Sequence, residues 1–265
     1  MRVDVLALQR FYASPLGEAV RRAARRRLFA LWPHADGLDV LGLGYPVPYL
    51  DGYRGQSRRV IAMMPSAQGA EPWPEAAPAL TALGEEARLP FMDAIFDRVL
   101  VVHGLEEAPE PHALLREIWR VMAPEGRLVI ITANRWSLWA QSGDTPFGHG
   151  RPFSRTQLAT LLADSMFEPV VSARALYAPP SPWTPVVRAA DAFERVGEMI
   201  WPAQGGLVLM EAVKRLYAST SRSERRVLLA KAPSRTRQEV PGGAPERGAT
   251  NAVRRTPSCE DAGVG

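Results

Sequence analysis

Cysteine is nearly missing from this chain, with Cys259 alone among 265 residues. A single thiol builds neither an internal disulfide framework nor a cysteine metal cluster, so disulfide-stapled scaffolds and zinc ribbons are excluded, and no metal is expected. Long apolar runs are missing too: no stretch approaches the ~18–20 residues that cross a bilayer. The start of the chain shows no apolar signal region, since Arg10 and the Arg21–Arg27 cluster flank no long hydrophobic segment. The expectation is a cytoplasmic protein without a transmembrane segment. Charge of one sign is also scarce over residues 1–218, where 23 basic and 23 acidic residues cancel. Residues 219–265 hold nine Lys/Arg against five Asp/Glu and so carry the whole net charge of +4. A neutral main body speaks against nucleic acid as a partner. The last segment is rich in Ser, Arg, Pro, Gly and Ala, and apart from Arg226–Ala230 too poor in apolar residues to fold alone. One folded domain over residues 1–218 and a disordered basic tail over 219–265 are expected.

Apolar residues make up 46% of the chain, which permits a substantial core. The stretch Leu89–Thr132 is the most informative. Phe96–Val102 is a short run with β-branched residues, suited to a strand buried on both faces. From Pro111 to Met122, Leu114, Leu115, Ile118, Trp119 and Met122 recur at helical spacing. Pro111 fits the first helical turn, and Pro124-Glu125-Gly126 stops the helix before the apolar run Leu128–Ile131. Strand, helix, strand at these lengths is a right-handed βαβ unit of a parallel sheet.

Further units follow the same grammar. Residues 1–35 read as helical, with Ser14-Pro15 as a starting cap and Arg21, Arg22, Arg25 and Arg26 on a face that is either solvated or a patch for an anionic substrate or a membrane surface. Leu38–Gly44 is a strand ending in a glycine turn, Arg59–Met64 a second strand and Thr81–Leu83 a third. Thr156–Leu162 is helical and Pro169–Leu176 a strand. Val186–Ile200 reads as one amphipathic helix with Val187, Ala190, Phe193, Val196 and Ile200 on one face. Gly205–Ala212 reads as a last, antiparallel strand. The fold class is α/β: a doubly wound, Rossmann-like, seven-stranded sheet, mostly parallel with an antiparallel last strand.

Leu89-Pro90-Phe91, Asp93, Phe96-Asp97, His103, the Leu-x-Glu-x-x-Arg-Val run over 115–121 and Pro124-x-Gly126 before an apolar strand together resemble one family. It is the class I S-adenosylmethionine-dependent methyltransferases of the small-molecule "type 11" group. The resemblance implies S-adenosylmethionine as cofactor and methyl transfer to a small molecule; it leaves the acceptor and the oligomeric state open. It implies cofactor contacts at Asp39, Gly42 and Gly44 in the first strand and its turn. It further implies a ribose-binding position at Met64, an adenine-binding acid at Glu85 or Glu86, and His103 beside the cofactor.

His103 follows a strand at the carboxyl edge, where open α/β sheets bind ligands, and its ordinary pKa suits a general base. His149, in the aromatic loop over 145–154 after a central strand, is the second catalytic candidate. Two departures stand out. Pro46 replaces the third glycine of the turn, and Met64 stands where an acid would bind the ribose hydroxyls. The missing charged hydrogen bond is worth about 1.5–3 kcal/mol. These departures motivate an alternative: a methyltransferase-like binding or regulatory protein without catalysis. A nicotinamide dehydrogenase is disfavoured, because the three-glycine fingerprint and the acid ~20 residues on are both incomplete.

Overall fold

The computed structural model describes residues 2–216 and the two-residue strand Leu228–Leu229. The elements run α1 (Val5–Ala13), α2 (Pro15–Leu31), β1 (Asp39–Gly44), α3 (Val47–Leu50), β2 (Arg59–Pro65), β3 (Thr81–Gly84), β4 (Phe96–Val102) and α4 (Pro111–Val121). They continue with β5 (Met122–Ala133), α5 (Leu138–Gln141), α6 (Arg155–Asp164), β6 (Phe167–Ala175), α7 (Thr184–Arg188), α8 (Ala190–Ile200), β7 (Leu207–Lys214) and β8 (Leu228–Leu229). The strand order is β3-β2-β1-β4-β5-β7-β6, with β8 added beside β6. Strands β1 to β5 are mutually parallel, and β7 runs antiparallel to both β5 and β6. This is the seven-stranded, doubly wound sheet that the sequence pattern predicts. The expected tail over 219–265 lies outside the described residues, except for β8, which pairs in parallel with Val171 and Ser172.

The strands form because their residues can be buried on both sides. On one face Val40, Ala62, Met64, Leu100, Val102, Val129 and Ile131 pack with α1, α2 and the β1–β2 connection. On the other, Leu41, Leu43, Met63, Val99, Val101, Leu128 and Ile130 pack with α4 and α6. The two faces thus use alternate residues of the same apolar runs, as strand geometry requires. The order reverses between β1 and β4, whose carboxyl ends therefore flank the place where ligands enter folds of this kind.

Two local readings change. Residues 1–35 form two helices: Ser14 takes an extended conformation and its hydroxyl accepts from Gly17 N, which makes it the starting cap of α2 as the sequence predicts, while Val5–Ala13 forms a separate helix before it. The span 186–200 likewise divides into α7 and α8, and the face carrying Phe193, Val196 and Ile200 points to solvent. Polar anchoring sets that orientation. Glu194 is buried and accepts from Tyr177 N at 2.6 Å. Gly197 admits the Tyr177 ring so closely that a Cβ there would lie 2.5 Å from it.

Candidate functional site

The glycine turn after β1 lies at the switch point, and its geometry explains both glycines from within the chain. Gly44 has φ +85°, the left-handed region that L side chains avoid. The β4 backbone presses on it: a Cβ would sit 2.1 Å from Val102 O and 2.9 Å from Gly104 N. Tyr45 N donates to Val102 O at 2.7 Å, which ties the turn to β4. At Gly42 a Cβ would meet the Pro46 ring at 2.5 Å and Leu50 at 2.8 Å. Pro46, which replaces the expected third glycine, has folded back onto Gly42 and starts α3.

Above the turn stands a buried aromatic cluster. Tyr12 from α1 stacks on Tyr45 with ring centroids 5.6 Å apart and meets Tyr49 edge-on at 6.0 Å. The Tyr12 hydroxyl lies 3.1 Å from that of Tyr49 and 2.9 Å from His103 Nε2. Phe147 covers the other side of His103, with centroids 4.5 Å apart. Tyr12, Tyr45, Tyr49, His103 and Phe147 are all buried. Burial raises the pKa of the tyrosine hydroxyls at 12, 45 and 49. It pushes His103 down to about 3, so its imidazole is neutral.

Glu106 completes the group. Its Oε1 lies 3.9 Å from His103 Nδ1, and burial pushes its carboxyl up to about 8. The two therefore face each other as neutral groups, not as an ion pair. Among the described residues neither carboxyl oxygen of Glu106 makes a hydrogen bond of good geometry, the nearby buried Thr132 hydroxyl giving at most a weak contact.

This arrangement has a pH signature. Glu106 titrates higher folded than unfolded, so its protonated form contributes stability that is complete below the ordinary carboxylate pKa and lost as pH rises toward about 8. His103 titrates lower folded than unfolded, so its contribution is complete above about 6.5 and lost as pH falls. Between about pH 6.5 and 8 Glu106 acts alone of these two. Stability is expected to fall across that window by on the order of 2 kcal/mol. Glu106→Gln should flatten the slope and be the more stable protein at pH 8. Denaturant titrations at the two pH values check this, and an unchanged slope would rule it out.

The remaining candidates are scattered. Asp39 lies at the amino end of β1, held by Arg58 through bonds of 3.0 and 2.6 Å that keep its carboxyl below the usual range. It is not brought to the carboxyl edge. Met64 is fully buried on the α1–α2 face. Glu85 is exposed, and Glu86 is clamped by Arg2 at 2.9 Å. His149 is exposed, whereas Phe147 in the same loop points inward to His103. Sequence reading missed Tyr12, Tyr45, Tyr49 and Glu106. It also missed Glu71, which accepts from the Tyr45 hydroxyl at 2.9 Å. The aromatic spacing of Tyr45 and Tyr49 after the glycine turn was the available signal.

Cavities flank the cluster. One of about 320 Å³ lies at the carboxyl ends of β2 and β3, lined by Pro65, Ser66, Gly84, Glu85, Glu86 and Pro109. Another of about 160 Å³ is lined by Arg2, Glu106, Glu107, Gly150 and Arg151. A larger groove of about 830 Å³ runs along the amino ends of β2 and β3, the wrong edge for a ligand in this architecture. A nucleoside-bearing cofactor needs room beside both glycines and an acid near the end of β2. Here Pro46 and Leu50 crowd Gly42, the β4 backbone crowds Gly44, and Met64 stands where the acid is expected. In this conformation the residues do not fit that cofactor.

Comparison with known proteins agrees with the architecture. The family described as "Methyltransferase domain" matches residues 38–130. The demethylmenaquinone methyltransferase of Mycolicibacterium paratuberculosis is 47% identical over 47 residues, 18% of this chain and 20% of that protein. Its counterpart in Streptomyces griseus is 45% identical over the same length. The chain spans about a fifth of the length of these curated relatives. Among solved structures, an S-adenosylmethionine-dependent methyltransferase of Thermotoga maritima, described as a possible histamine N-methyltransferase, aligns with TM-score 0.60 and 17% identity. That alignment covers 80% of this chain and 96% of the other. The [4+2]-cyclase SpnF aligns with TM-score 0.53 and 19% identity over 74% and 82% of the two chains. Such identities speak for the fold and not for a reaction. The strand order and the switch point give the described residues the fold of class I S-adenosylmethionine-dependent methyltransferases, and residues 38–130 match the methyltransferase-domain family.

Proposed function

We propose that this member of the methyltransferase family has exchanged its cofactor cradle for a packed aromatic plug and acts by binding, as a methyltransferase-like binding or regulatory protein. One observation carries the reading: a Cβ at Gly42 would meet Pro46 and Leu50, and one at Gly44 would meet the β4 backbone, so the chain itself crowds both glycines. Above it the buried Tyr12, Tyr45 and His103 close the switch point. Admitting a cofactor would require α1 to leave, together with the Arg2 ion pair to Glu86 and the bonds from Val3 N to Glu107. It would also bring a neutral, deeply buried histidine into solvent.

A second reading is S-adenosylmethionine-dependent methyl transfer to a small molecule. The match over residues 38–130 favours it, as does the 320 Å³ cavity beside Glu85 and Glu86, at the lower end of the ~300–1,000 Å³ range of ligand sites. Methyl transfer rests mainly on alignment of the reacting groups, so the lack of a catalytic motif does not count against it. In this second reading the place on the protein is the carboxyl edge at β1, β2 and β4. The relatives that act on demethylmenaquinone share too short a stretch to supply a substrate.

Calorimetric titration with S-adenosylmethionine and with S-adenosylhomocysteine separates the two. The plugged cleft is expected to give no saturable binding tighter than about 1 mM, or roughly 4 kcal/mol. A dissociation constant in the micromolar range would sink the binding-protein reading and establish the cofactor.

A further inference from the structure

Helix α8 turns its apolar side outward, and nothing among the described residues covers it. Phe193, Val196 and Ile200 lie at three- and four-residue spacing on one face, beside Met199. Met199 is 83% exposed and Ile200 54%. A tryptophan stands at each end of the α7–α8 segment: Trp183 before α7 is 67% exposed and Trp201 after α8 is 57% exposed. The orientation is imposed by the buried side of the helix, where Glu194 and Gly197 are locked to Tyr177. The outward face is therefore a fixed feature of the packing.

We infer that α7 and α8 form an interfacial surface for a bilayer containing anionic lipid. Charge argues for this occupant. Helix α2 packs beside α8, with Arg27 paired to Glu198 at 2.6 Å and Arg26 to Glu194 at 3.6 Å. The acids of the α7–α8 segment, Asp191, Glu194 and Glu198, are each paired to Arg26 or Arg27, whereas Arg188 and Arg195 are exposed and make no ion pair among the described residues, so the uncompensated charge bordering the apolar face is positive. Anionic headgroups complement that border, and each basic residue near such a surface strengthens binding about fivefold. A second copy docking face to face would instead oppose like charges. Tryptophans at both ends of an apolar helical face, with arginines at its flanks, suit the boundary between headgroups and acyl chains. No helix among the described residues is long and apolar enough to cross a membrane, so the contact lies in the interface and does not span it.

The test uses the full chain in co-sedimentation with vesicles, one set of phosphatidylcholine alone and one an equimolar mixture with phosphatidylglycerol. At about 0.1 M salt the mixed vesicles should bind at least tenfold more strongly. A Met199→Ser, Ile200→Ser, Trp201→Ser variant should lose that binding by tenfold or more while keeping its circular dichroism and thermal midpoint, since all three side chains are exposed. Absence of binding to mixed vesicles would overturn the inference. So would binding unchanged in the triple variant, which would assign it to the basic residues 219–265. A dimer seen by light scattering and dissociated by the same substitutions would give the face to a second copy and overturn it equally.

Discussion

Gly44→Val is expected to damage the fold itself rather than to alter a pocket. At φ +85° an L residue costs about 1–2 kcal/mol, and a β-branched one more. The steric conflict adds to this. The new Cβ would stand 2.1 Å from Val102 O, which is backbone at the centre of the sheet and cannot swing aside. To make room, β1 and β4 must part at their carboxyl ends, losing the Tyr45 N to Val102 O bond. A total on the order of 4 kcal/mol or more follows, in the range reserved for severe backbone and core lesions. For a domain of this size the thermal midpoint should drop by roughly 8–16 °C. Gly44→Ala places the same Cβ and should show most of the loss. An Ala variant within two or three degrees of the parent would mean that the turn opens toward free space, as a cofactor-binding turn would.

Met64→Asp has a comparable expected effect, with its cause in the core. Met64 is inaccessible to solvent on the face shared with Tyr45, Tyr49 and Trp73. Removing a buried methionine side chain costs about 2–5 kcal/mol. The carboxyl that replaces it must be desolvated or protonated with no designed partner, which adds further cost. Together these should lower unfolding free energy by on the order of 4 kcal/mol or more, read from denaturant midpoints at constant m-value. The opposite outcome is equally legible. If position 64 faced an open nucleoside site, Asp would be tolerated and S-adenosylmethionine would bind about tenfold more tightly. Finding that would refute the plugged cleft.

These two residues also show how far the sequence could be read. The strands were legible because burial on both faces leaves an apolar run with no polar alternation, as in Phe96–Val102, whose boundaries the structure reproduces. Helix α4 was legible from the spacing of Leu114, Leu115 and Ile118, all buried. A glycine announces that space is needed but not what takes it. Gly42 and Gly44 look the same whether a cofactor or the chain's own Pro46 and Val102 lie alongside. Met64 likewise reveals a missing acid without revealing that the position is sealed. The Tyr12–His103 contact joins residues 91 apart, and no spacing rule reaches that distance. For α8, periodicity grouped Ala190 with Phe193, Val196 and Ile200, but Ala190 is buried while the other three are exposed. Burying Glu194 against Tyr177 decided the rotation, and that pairing is tertiary.

The division of the interior by the sheet has a consequence for how such a protein can change. Leu89, Phe96 and the buried side of α4, which carry much of the family likeness, lie on one side of the β-sheet. Tyr12, Tyr45, Tyr49, Met64 and Phe147 lie on the other. Side chains on opposite sides share no packing partners, so substitutions on one side should be nearly additive with those on the other. The sheet acts as insulation: one compartment can be rebuilt in succession while the other keeps its original pattern. A lineage could thus wall up its ligand chamber and still be recognised by the wording of the opposite wall.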